Sequence, residues 1–129
     1  MPLHLKLKPN ERVIIGGAVV RNGNSRVEIQ IDNEVPVLRE SDILSPAAVR
    51  TPCERIYLAL QLLYVDTEQV HKHLETLKSL VDDVLEAAPS CTHLIEPIER
   101  HLREGKFYQA LKSARALLEH ERKLIANVH

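Results

Sequence analysis

The sequence predicts an α+β protein: a small antiparallel β barrel or sandwich over residues 1–44, then a three- to four-helix bundle over 45–129. Three observations carry this. Short runs with period-two alternation fill the first 44 residues. Gly-Gly and Asn-Gly pairs punctuate those runs. From Ser45 onward the apolar spacing becomes helical and stays so.

In the β half, Leu3, Leu5 and Leu7 alternate with His4, Lys6 and Lys8, which predicts a half-buried strand ended by Pro9-Asn10. Glu11 to Ile15 continues as β, and Gly16-Gly17 permits a tight turn or bulge. Ala18 to Arg21 is a further short strand. Asn22-Gly23-Asn24 predicts a type I′ hairpin turn. Val27, Ile29 and Ile31 are expected inward, with Glu28, Gln30 and Asp32 outward. The last strand is Val35 to Glu40. Pro36 cannot donate to a ladder, so that strand is expected at a sheet edge or with that N–H side turned to solvent.

In the helical half, Ser45-Pro46 opens a short turn at Ala47-Ala48-Val49. Thr51-Pro52 then starts a helix, with Thr51 as N-cap and Pro52 at the first helical position. Ile56 to Val65 is apolar nearly all round and should be central. It is about half the length a bilayer span requires. Asp66 and Gln69 stand in capping-box spacing. Val70, Leu74, Leu77, Val81, Val84 and Ala88 form a stripe that Pro89-Ser90 stops. Leu94, Ile95, Ile98 and Leu102 mark a third helix, kinked or begun at Pro97 and ended by Gly105. Phe107, Leu111, Ala114 and Leu118, flanked by Ala110, Leu117, Leu124 and Ile125, line a last helix over 106–125.

Charge names no partner, since the net is −1. Residues 1–50 carry seven Lys/Arg against six Asp/Glu, so a strongly basic nucleic-acid footprint is absent. No Phe, Tyr or Trp lies in 1–50, which argues against nucleic-acid binding of the RRM or OB kind there. Met1 to Lys8 alternates from the outset, unlike a secretion signal, so the expected location is the cytoplasm and Cys53 and Cys91 are expected as reduced thiols. His71 and Glu75 share a helix face without a third ligand nearby, so no metal is expected. No nucleophile motif or phosphate loop occurs; the expectation is no cofactor and no enzyme.

Two resemblances follow. Glu11, Ile15-Gly16, Val27 to Ile31, and Val35 to Glu40 with Ile43 resemble the small RNA-binding CsrA family, although Leu38 stands for its histidine and Asn10 for its turn glycine. In that family the first and last strands face each other across an intertwined dimer and the last-strand arginine contacts RNA. The resemblance therefore implies an RNA site at Arg39 with Leu3, His4, Leu5, Lys6, Val37, Leu38 and Glu40, and a homodimer. Lys8, Arg12, Arg21 and Arg26 are candidate phosphate contacts. The longer stretches Met1 to Arg12, Gly17 to Gly23, Val37 to Ile43 and Thr51 to Tyr57 are similar to the FlbT family of flagellin regulators. That resemblance implies a cytoplasmic post-transcriptional regulator binding the 5′ untranslated leader of flagellin mRNA, repressing translation or promoting decay, with FlaF and flagellin as partners. The competing reading is a protein–protein module that binds flagellin or a flagellar chaperone and acts on the message indirectly. Steep salt dependence of leader binding favours the first.

Overall fold

The computed structural model describes residues 2–128. Among them are five strands followed by four α-helices, an α+β architecture. The chain divides into two compact units, Met1–Ile43 and Leu44–His129.

In the first unit, β1 (Leu3–Leu7) pairs antiparallel with β4 (Val27–Ile31). A second sheet has the order β3 (Ala18–Arg21), β2 (Arg12–Ile15), β5 (Val37–Arg39). β5 is an edge strand, where Pro36 costs no ladder bond; its carbonyl accepts the Gly16 N–H at 2.9 Å. No ladder among the described residues closes the sheets into a barrel.

Gly16 (φ 57°) and Gly17 (φ 89°) form the two-residue turn between Ile15 and Ala18, as their permissive backbones predict. The Asn-Gly reading fails. β3 and β4 are not partners, and neither Asn22 nor Gly23 has positive φ. Asn22 instead fastens the chain after β3 to the end of β1. Its Nδ2 donates to the Lys8 and Ser25 carbonyls, both at 2.8 Å, and its N–H donates to the Glu11 carbonyl. The left-handed position belongs to Asn10 (φ 62°), which asparagine tolerates.

The apolar cluster of this unit is small. Leu5, Leu7 and Val13 are buried, with Ile15, Ile29, Ile31 and Val37 packed against them. Ile14 and Leu38 are buried too, but Val27 and Leu3 at the sheet ends are exposed, correcting the inward placement of Val27. β3 is exposed along its length, with Val19 at 67%.

In the helical unit, α1 (Pro52–Val65) packs on α2 (Val70–Ala87) and α4 (Phe107–Val128), and α3 (Thr92–Arg103) packs on α4. α1 opens as its sequence dictates: Thr51 and Glu54 exchange side-chain and backbone bonds in a complete capping box. Asp66 is not the cap of α2. That helix begins after Gln69, and Asp66 instead meets His73 Nε2 at 2.9 Å and the Glu68 N–H at 3.3 Å. Leu77, Val81 and Val84 form the buried stripe of α2. α3 runs through Pro97, which removes one backbone donor but does not break the helix. Gly105 (φ 73°) stops it in a Schellman motif, with Lys106 N–H on the His101 carbonyl and Gly105 N–H on that of Leu102. Leu124 and Ile125 are 43% and 46% exposed, so the core stripe of α4 ends before them.

Candidate nucleic-acid interface

Alternation along β1 turns Leu5 and Leu7 inward and leaves His4, Lys6 and Lys8 outside. Lys6 and Lys8 line a groove of about 390 Å³ together with Arg26, Val27 and Glu28 from the start of β4. Lys8 also borders a second groove of about 550 Å³, shared with Glu11, Arg39, Glu40 and Ser41. The two grooves thus meet at one lysine. The first holds three cations and one carboxylate; the second is balanced.

That balance comes from reciprocal pairs between the start of β2 and the end of β5. Arg39 Nη2 donates to Glu11 Oε2 at 3.1 Å, and Arg12 Nε donates to Glu40 Oε1 at 3.1 Å. The register sets this up, since Val13 faces Arg39 and Arg12 therefore faces Glu40. Arg39 Nη2 also donates to the Lys6 carbonyl at 2.6 Å, joining β5 to β1. Glu11 Oε1 accepts the Lys8 N–H at 2.8 Å. That backbone donor outweighs the opposing effect of burial and, with help from Arg39, holds the Glu11 carboxyl below its usual range.

The structure brings Lys6, Lys8, Arg12, Arg26, Arg39 and Glu40 into this region and separates other candidates from it. His4 lines neither groove, although it approaches Glu28 of the first at 3.8 Å. Arg21 donates to the Asn10 carbonyl at 3.1 Å. Leu5 and Leu38 are 6% and 0% exposed, so their side chains are core and only their backbone could meet a ligand. Leu3 is exposed at the far end of β1, and Val37 is half-buried. Arg39 remains 40% exposed, and its bonds run through one of three guanidinium nitrogens. Asn22, expected in a hairpin turn, is a tie to the end of β1 instead. Its amide joins chain segments whose proximity no local pattern announces.

Both cysteines are free and buried. Burial and the nearby Glu121 carboxylate push the Cys53 thiol up to about 12, opposite to the activation a helix start can give. Among the described residues no cluster of three or more His, Cys, Asp or Glu could hold a metal. No helix among them is long and apolar enough to cross a membrane.

These features define an α+β protein that joins a β unit with a cation-lined groove to a four-helix unit. The family model "Flagellar protein FlbT" matches residues 3–125. A "Probable flagellum biosynthesis repressor protein FlbT 1" of Bradyrhizobium diazoefficiens is 43% identical, over 96% of this chain and 85% of its own length. A "Probable flagellum biosynthesis repressor protein FlbT" of Rhodopseudomonas palustris is 36% identical over 98% and 99%. The "Flagellum biosynthesis repressor protein FlbT" of Caulobacter vibrioides is 33% identical over 99% and 92%. No solved structure matches. The chain belongs to the FlbT family.

Proposed function

We propose that the protein is a non-catalytic regulator of flagellum biogenesis that acts in the cytoplasm by binding the 5′ leader of flagellin mRNA through its β unit, lowering translation or message lifetime. The names of its relatives as flagellum biosynthesis repressors support the regulatory part. The observation that carries the RNA part is the gathering of Lys6, Lys8 and Arg26 in one groove that meets the Arg39 pairs. Three cations on a near-neutral chain suit a short stretch of single-stranded RNA, where phosphates bind the lysines and exposed bases can be read by hydrogen bonds. Arg39 would do two jobs: one nitrogen holds β1 against the Glu11 turn, and the rest of the fork presents donors to a base.

The test is a fluorescence anisotropy titration of the leader RNA and a scrambled control. Arg39→Ala is expected to weaken leader binding by roughly 1–3 kcal/mol, the scale of a charge-assisted hydrogen bond. Equal binding of leader and scramble by the wild type would end the direct-recognition reading. A second reading rests on β3, whose valines are exposed on an edge strand. Such an edge can pair with another chain. We propose a second copy of this chain there, giving a homodimer, with FlaF and flagellin as further protein partners.

A further inference from the structure

The helical unit carries a cavity of about 320 Å³ where the start of α1, the end of α2 and the end of α4 converge. Its apolar wall includes Leu80, Val84, Ala87, Cys91 and Leu124. That size lies at the small end of ligand pockets and suits a side chain or two. Leu124 is 43% exposed and Ile125 beside it 46%, so apolar surface continues out of the cavity.

Two carboxylates, Asp83 and Glu121, line the cavity beside Arg55, and they differ in what they are committed to. Glu121 is spent internally: it accepts the Thr51 hydroxyl and the Cys53 N–H at the start of α1. Asp83 lines the cavity and is exposed, with Asp82 and Glu86 exposed on the same final turns of α2. None of these three forms an ion pair among the described residues. The last turn of α2 holds no basic residue, so the negative pole of its dipole adds to them uncompensated. Arg55 is the one cation lining the cavity.

We infer that this cavity docks a basic amphipathic helix of a partner protein. A leucine-sized side chain enters between α2 and α4, and a Lys or Arg one turn along its helix meets Asp83 and Glu86. Apolar anchors at helical spacing are how such helices are read. The exposed carboxylates on the final turns of α2 oppose a phosphate ligand, which sets this surface apart from the β groove, and the inference does not depend on RNA binding.

The test uses the full chain and a labelled helix-forming peptide of roughly 18 residues, about five turns. The peptide has a leucine stripe flanked by Lys and Arg; a twin carries Glu at each basic position. The wild type is expected to bind the basic peptide at least about tenfold tighter than its twin. Leu124→Glu should cost about tenfold in affinity, and Asp83→Lys should narrow or invert the preference between the twins. Both positions are exposed, and far-UV circular dichroism verifies the fold of each variant. Inversion by Asp83→Lys is a result that simple misfolding would not give. Absence of binding, equal affinity for the twins, or variants indistinguishable from wild type would overturn the proposal. So would self-association that Leu124→Glu abolishes, which would assign the cavity to a second copy. Leader RNA affinity should be unchanged in both variants; a parallel loss would place the cavity in the RNA site and overturn the inference.

Discussion

At the scale of single residues, Glu11 and Arg39 tie β1, β2 and β5 together in the β unit. Glu11 accepts a backbone N–H from Lys8 and a guanidinium from β5, and Arg39 reaches on to the Lys6 carbonyl. The Glu11 carboxyl is held below its ordinary value near 4.5, so the unfolded chain takes up this proton at a higher pH than the folded one. Its contribution to stability is therefore complete above about pH 4.5, shrinks as pH falls through the acid range, and is gone below the folded value. Glu11→Gln is expected to lower stability at pH 7 and to flatten the loss seen in urea unfolding as pH falls below about 4.5. An unchanged acid slope in Glu11→Gln would mean that other carboxylates dominate. Asp66, held low first by His73, titrates in the same direction and is the control to vary in parallel.

At the scale of elements, the start and middle of α1 fasten what precedes it. Thr51, Glu54 and Glu121 satisfy the first donors of the helix from two elements at once. One residue in the apolar run, Gln61, is 5% exposed. Its Oε1 accepts the Leu44 N–H at 2.8 Å and its Nε2 donates to the Leu44 carbonyl at 3.1 Å. Gln61→Leu keeps the volume and strips both partners from a peptide group. The expected cost is about 1–3 kcal/mol in denaturant unfolding, against less than about 1 kcal/mol for an exposed position such as Gln69→Leu. Equal losses at the two sites would show that Leu44 finds water instead. Gln61 also marks the limit of reading this chain locally. Sequence pattern located the Thr51-Pro52 start, the Gly16-Gly17 turn and the Gly105 stop, because each depends on neighbours a few residues away. It misplaced the Asp66 cap and the Asn22-Gly23 hairpin. Those side chains obey partners set by tertiary packing: His73 across a turn, and the end of β1 for Asn22. The candidate site divides the same way. Alternation along β1 placed Lys6 and Lys8 on its outer face, whereas the approach of Arg26 to them and the burial of Leu38 follow from strand order, which no local signal encodes.

At the scale of the whole molecule, a net charge of −1 supplies no overall attraction for RNA, so any hold on it must come from a local group of cations. Lys6, Lys8 and Arg26 offer about three phosphate-range charges. Single-stranded binding that neutralises Z phosphates loses affinity with a slope of about −0.7Z in log–log salt plots, here about −2. Between 50 and 200 mM salt that is a loss of roughly 20-fold. Lys6→Ala with Lys8→Ala removes two of the three contacts and should bring the slope to about −0.7, with both leader and scrambled RNA weakened. Arg39→Ala should instead weaken the leader more than the scramble, because a base contact carries sequence and a phosphate contact does not. If the slope stays near zero and the lysine variants bind as the wild type does, the groove holds no phosphates. Regulation would then run through the exposed β3 edge and the helical unit, by way of protein partners, and the message would be reached only through them.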